Sequence, residues 1–174
     1  CRHNAATIQN IRIENLYVPA GGDIPGPEIN DKFAHKLDYV DEMAASWAKN
    51  ALPPRMLALG DFNIAPLECD VWSHKQLLDV VSHTPIEVGK LQNWQEKSGL
   101  QDVVRQHVRP PEKLYSWWSY RARDWRSSDR GRRLDHIWAS PALAPEVKSV
   151  LIHKDARDWP TPSDHVPVLV DVAA

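Results

Sequence analysis

Apolar and polar positions alternate through residues 8–18. Ile11 and Ile13 lie two apart, as do Leu16 and Val18, and this period predicts a strand. Pro19, Gly21, Gly22, Pro25, Gly26 and Pro27 follow and predict a loop. Asn30 is placed to cap a helix. Phe33, Leu37, Val40, Ala44 and Trp47 then recur at spacings of three and four, which puts one apolar stripe on that helix. Pro53-Pro54 ends the unit. The apolar run 56–59, between Arg55 and Gly60, predicts a short buried strand. Thr84-Pro85-Ile86-Glu87 has the form of a capping box with proline at the first helical position. It predicts a helix running to Ser98 and stopped by Gly99. Segments 115–118, 134–139, 147–153 and 166–172 predict further strands, with a charged loop at 121–133. This irregular alternation favours a mixed α/β sandwich over a parallel doubly wound sheet.

A length of 174 residues suits one domain. At 43% hydrophobic and 25% charged residues, the chain is a folding sequence and not a disordered one. The formal net charge of −2 excludes a global positive field, so a nucleic-acid partner would need a local basic patch. Cys1 and Cys69 form no C-x-x-C pair or disulfide framework. They fit a reducing compartment. No apolar stretch is long enough to span a bilayer, and cytoplasmic residence is the expectation. The histidines form no H-E-x-x-H, and neither G-x-x-x-x-G-K-[ST] nor G-x-S-x-G occurs. Zinc-protease, P-loop and common serine-hydrolase chemistry are therefore unsupported.

Chemistry is carried by five short segments. In Gly60-Asp61-Phe62-Asn63, residues two apart on extended chain share a side. Asp61 and Asn63 would then face one site while Phe62 enters the core. The carboxylate can take a proton from water, and the amide can donate to a phosphoryl oxygen. Taken alone, the tetrapeptide fits a turn equally well. Ser163-Asp164-His165 offers a carboxylate and an imidazole, or simply a capped strand entry. Arg133-Leu134-Asp135-His136 offers a carboxylate able to fix a histidine tautomer, or a surface ion pair. Tyr17 can donate to phosphate or pack. Around Trp117 and Trp118, six arginines (Arg121, Arg123, Arg126, Arg130, Arg132 and Arg133) oppose only Asp124 and Asp129. That combination suits a nucleic-acid surface.

Taken in order, Tyr-Val-Pro, G-D-F-N, S-W-W-x-Y-R, R-G-x-R-L-D-H and P-S-D-H-x-P-V resemble the exonuclease III family. The resemblance runs from about Ile11 to the C-terminus. It implies a DNase I-like, four-layer αββα sandwich of two mixed β-sheets flanked by helices. Its implied reaction is Mg²⁺-dependent (Mn²⁺ as substitute) hydrolysis of duplex DNA at abasic sites and from 3′ ends. By position, Tyr17, Asp61, Asn63, Asp135 and His165 match the catalytic set, and Asp164, Asp61 and Asn63 the metal surroundings. Trp117 and Trp118 match a pocket for an extruded abasic sugar, and Arg121, Arg123, Arg126 and Arg130 the DNA grip. The family pattern opens with a strand bearing an asparagine and a metal-binding glutamate, and nothing before Ile8 matches them. The expectation is a C-terminal part of a single domain, 1–174, incomplete at its N-terminus, from a protein that is monomeric at full length. RNA or small phosphoester substrates, and a non-catalytic DNA-binding remnant, are the rival readings.

Overall fold

The computed structural model describes residues 2–173; Cys1 lies outside them. In chain order the elements are β1 (His3–Ile8), β2 (Ile11–Tyr17), α1 (Asp31–Lys49), β3 (Met56–Asp61), α2 (His74–Leu77), α3 (Pro85–Ser98), β4 (Gln101–Asp102), α4 (Val103–His107), β5 (Trp117–Trp118), α5 (Trp125–Ser128), β6 (Gly131–Arg132), β7 (Asp135–Ala139), β8 (Val147–Ile152) and β9 (Val168–Val172). Among the described residues no helix is long and apolar enough to cross a membrane.

The main sheet has five strands in the order β1-β2-β3-β7-β4. It is mixed: β2 and β3 run parallel, while β7 is antiparallel to β3. Its two faces are covered differently. On one face, Val40, Ala44 and Trp47 of α1 and Leu91 and Trp94 of α3 close over Leu16, Met56, Ala58 and Trp138. On the other, the β8–β9 hairpin packs Val150, Ile152, Val168 and Val170 against Leu57, Ile137 and Ala139. The order helices, sheet, second sheet is the expected sandwich architecture, with the second sheet built from two-stranded pieces.

Both long helices form for the reasons legible in the chain. The Asn30 side chain accepts from Lys32 N at 3.1 Å. Thr84 and Glu87 make the reciprocal capping box, and Gly99 stops α3 at φ +67°, a left-handed value that glycine adopts freely. Several expected strands differ in extent. Segment 8–18 is not one strand: Gln9 and Asn10 both take positive φ, 47° and 65°, and fold β1 back on β2 as a tight hairpin. Segment 115–118 is extended only as β5, and the expected loop 121–133 contains α5 and β6.

Beneath the second sheet lies a buried ionic cluster. Arg133 is 1% exposed and Asp70 0%. Arg133 Nη2 donates to Asp70 Oδ2 at 3.0 Å and Nη1 to Asp102 Oδ2 at 2.6 Å. Arg105 donates to Asp70 from Nε at 3.1 Å. This corrects the expected basic surface, because Arg133 holds the chain two residues before Asp135 from within the core. We predict that Asp70→Ala, which leaves two buried guanidinium groups short of an acceptor, destabilises the protein by about 3–5 kcal/mol. Denaturant unfolding checks this, and a loss below about 1 kcal/mol would mean the cluster carries little.

Candidate active site

The site forms where three strands of the main sheet end. In register, Tyr17 of β2 pairs with Asp61 of β3, and Asp61 pairs with Asp135 of β7. Paired residues on neighbouring strands project to the same face, so the phenol and both carboxylates stand in one row. Gly60 lets β3 reach this point. It takes φ +130°, and a Cβ there would sit 2.0 Å from the Leu16 carbonyl oxygen. Phe62 then turns inward at 0% exposure, stacking on His136 with ring centroids 5.0 Å apart.

His165 arrives from the loop before β9. A three-residue segment ties it to the row. Ser116 Oγ accepts from Leu134 N and Asp135 N, each at 3.0 Å. Val166 N donates to Ser116 O at 2.8 Å, and Trp118 N to Asp164 O at 2.9 Å. Segment 116–118 therefore zips the Asp135 strand to the His165 loop. His165 Nδ1 donates to Asp135 Oδ2 at 2.8 Å, and its Nε2 faces Asp61 Oδ2 at 3.9 Å.

The electrostatics follow from this crowding. Burial, and then the Asp135 charge, push the Asp61 carboxyl up to about 6. Burial opposes charge on His165, but the hydrogen bond to Asp135 and the charges of Asp135, Asp61 and Asp164 outweigh it. The imidazole therefore titrates above its ordinary value. Asp61 is thus a carboxylate poised to accept a proton, beside an imidazole held with its Nε2 edge free. Asp61, Asp135 and His165 each offer one ligand atom, all within 4.8 Å of one another. Two carboxylate oxygens at the mouth of a cleft suit a hard divalent cation such as Mg²⁺ or Mn²⁺.

The expected site residues fall into place unevenly. Tyr17, Asp61, Asn63, Trp117, Arg121, Arg130, Asp164 and His165 line one open cleft of about 790 Å³. Asn63 is in the cleft, but its amide is committed. Nδ2 donates to Val18 O and Asp61 Oδ2, both at 2.9 Å. In this arrangement the Asn63 amide orients Asp61. Asp164 stands apart from the Asp61–Asp135 pair, accepting from the Trp117 indole at 2.9 Å. Trp118 is a further correction. It is 1% exposed and packs with Tyr115 and Trp125, since neighbours on a strand point to opposite sides. Arg126 bonds Asp155 at 2.9 Å and also pairs with Asp158, so it braces the loop. Among the described residues Arg121, Arg123 and Arg130 have no ion-pair partner.

Two features escaped the sequence. Trp72 carries the Arg130 guanidinium 4.7 Å above its ring, and Trp117 carries Arg132 at 5.3 Å. These two stacks form a cationic wall of the cleft. A tryptophan beside a helix cap gave no signal of this. Lys36 lies beneath the floor, and its position among Phe33, Leu37 and Val40 on the apolar stripe was the available clue.

Residues 8–165 match the Endonuclease/Exonuclease/phosphatase family. The chain is 33% identical over 119 residues to exodeoxyribonuclease III of Haemophilus influenzae, covering 65% of this chain and 44% of that protein. It superposes on an AP endonuclease from Archaeoglobus fulgidus with TM-score 0.91 and 28% identity, covering 99% of this chain and 65% of the other. A 3′ phosphatase from Neisseria, in a structure with a product DNA hairpin, gives TM-score 0.88 and 30% identity over 99% and 65% of the two chains. The chain thus spans under half of that curated relative and about two-thirds of those structures.

Asp135→Asn removes the charge that favours the His165 imidazolium and leaves the burial that disfavours it. The His165 pKa should therefore fall, leaving more of the ring neutral at pH 7. Histidine NMR titration in chelator-treated buffer reads this directly. An unmoved midpoint would break the assigned pairing.

Proposed function

The chain belongs to the endonuclease/exonuclease/phosphatase family, and from that premise we propose that its site hydrolyses DNA phosphodiesters as an exonuclease III-type repair nuclease. The reading covers 3′ ends and abasic sites in duplex DNA. It is carried by one observation: Asp61 and His165, far apart in sequence, face each other in one cleft, with Asp135 bonding His165 from behind. The names of the relatives, an exodeoxyribonuclease III and an AP endonuclease, support the substrate class. So does the product DNA hairpin bound to the Neisseria 3′ phosphatase.

In this reading Asp61 accepts the proton of the attacking water. Burial and the Asp135 charge favour protonation of Asp61, and a divalent cation held beside it would oppose them. Asn63 fixes the direction of the Asp61 carboxylate. His165, its protonated form favoured and its ring oriented by Asp135, donates from Nε2 to a phosphoryl oxygen as negative charge builds there. Tyr17, 49% exposed at the rim, donates to the same phosphate. Asp61 and Asp135 would hold a Mg²⁺ or Mn²⁺ ion, with Asp164 as a further carboxylate in the cleft. When bound, the ion supplies Lewis acidity at the phosphoryl group. Trp117 lines the part of the cleft where a sugar turned out of the helix would lie, a movement made easier where the base is already missing.

Asp61→Asn should lower Mg²⁺-dependent cleavage of an abasic duplex by about 100-fold or more. Abasic duplex, recessed 3′ end, RNA and an inositol phosphate are assayed side by side. Cleavage of RNA or inositol phosphate without DNA cleavage would overturn the substrate assignment. DNA binding without cleavage of any of the four would overturn the hydrolase reading.

The free arginines make a second prediction. Neutralising Arg121 and Arg130 together should weaken DNA binding and reduce its log–log salt slope by about 2. Arg126→Ala should leave the slope unchanged, because its charge is already satisfied. Equal effects from both variants would remove the distinction.

A further inference from the structure

Lys36 and Glu87 are both 0% exposed and form an ion pair. Burying two charges is expensive, and an apolar pair of similar volume is often as stable or more so. The geometry around this pair shows what an apolar pair could not supply. Asn63 takes φ +53°, a left-handed conformation that asparagine adopts more readily than most side chains. Its carbonyl is thereby turned inward, where it accepts from Lys36 Nζ at 2.8 Å. Lys36 also donates to Ala20 O at 3.2 Å. Gly21 leaves room for it, since a Cβ there would lie 2.9 Å from Lys36 Cδ. One ammonium group thus ties the loop after β2 to the turn after β3.

Glu87 extends the tie to the opposite wall. It accepts from Ser82 N at 2.9 Å and 3.0 Å and from Thr84 Oγ1 at 2.7 Å. Ser82 is itself at φ +89°, and its hydroxyl accepts from Arg132 Nη1 at 2.8 Å. Arg132 in turn lies over Trp117. The pair therefore anchors both the Asn63 main chain, whose side-chain amide aims Asp61, and the segment that seats the Arg132–Trp117 stack.

We infer that Lys36 and Glu87 are positioning residues: through Asn63 they set the orientation of the Asp61 carboxylate, and through Ser82 they set the cationic wall. Neither lines the cleft, although the Lys36 charge also favours the ionised form of Asp61 through space. The kinetic consequence rests on the nuclease reading, but the geometric one does not.

The test is the double variant Lys36→Met, Glu87→Met, which replaces the ions with side chains able to pack. We expect a cooperative thermal unfolding transition with a lowered midpoint, because Asn63 O, Ala20 O and Ser82 N lose their partners. We also expect the Asn63 side-chain amide NMR signals to shift and exchange faster with solvent. With abasic duplex, kcat should fall tenfold or more while KM changes less than twofold. Unshifted Asn63 signals in the folded variant would overturn the inference. So would an unchanged kcat alongside an active wild type. If the wild type cleaves no DNA, the nuclease reading fails, and the amide signals alone decide for or against the positioning role. Where the methionine pair fails to fold, Lys36→Gln, Glu87→Gln replaces it with the opposite expectation: two amides keep hydrogen-bonding partners for Asn63, Ser82 and Thr84, so near-wild-type Asn63 signals and kcat support the tie, and shifted Asn63 signals with a tenfold lower kcat overturn it.

Discussion

Two carboxylates on adjacent strands repel each other, and the upper end of this protein is organised around holding them together. Sheet register alone brings Asp61 opposite Asp135, and burial raises the electrostatic strain of that proximity. His165 relieves it by bonding one carboxylate and facing the other. The same crowding shapes both titrations: burial and the Asp135 charge push the Asp61 carboxyl up to about 6, and the bond to Asp135 with the nearby carboxylates holds the His165 imidazole above its ordinary value. Stability and reactivity at this point are one balance of charge and not separate properties.

Each participant is therefore braced from behind. Asp135 is fixed by Ser116 Oγ and by the buried Arg133 two residues earlier. Asp61 is fixed by the Asn63 amide, and Asn63 by Lys36. The braces reach into different layers: Lys36 from the helical face, Arg133 from beneath the second sheet. The cleft lies where those supports meet, and this explains why so many ionised groups with no exposure surround it.

The sequence revealed those features that depend on short-range rules. The Asn30 and Thr84 caps, the Gly99 stop and the inward Phe62 between Asp61 and Asn63 follow from local periodicity and turn chemistry. The pairing of Asp135 with His165 needed the family resemblance, since no local pattern links positions 30 residues apart. Trp118 was misplaced because the alternation applied to Asp61 and Asn63 holds equally for Trp117 and Trp118: only one of two neighbours can face the cleft. The β1–β2 turn was invisible because Gln9-Asn10 lacks the glycine that usually marks a two-residue hairpin. Arg133 and Arg126 were counted as surface charge because composition cannot show where the partners Asp70, Asp102, Asp155 and Asp158 lie. Lys36 was legible in principle, as a charge within an apolar stripe.

The position of Trp117 has an optical consequence. Its indole N–H is held by Asp164, and a guanidinium lies across its ring, while Trp94, Trp118 and Trp138 are each at most 1% exposed. Emission from Trp117, and from Trp72 beneath Arg130, is coupled to the charge and hydration of the cleft, while these enclosed indoles contribute a background that solvent changes scarcely touch and the exposed Trp159 reports on bulk solvent. The protein thus carries an intrinsic optical probe within its own binding cleft.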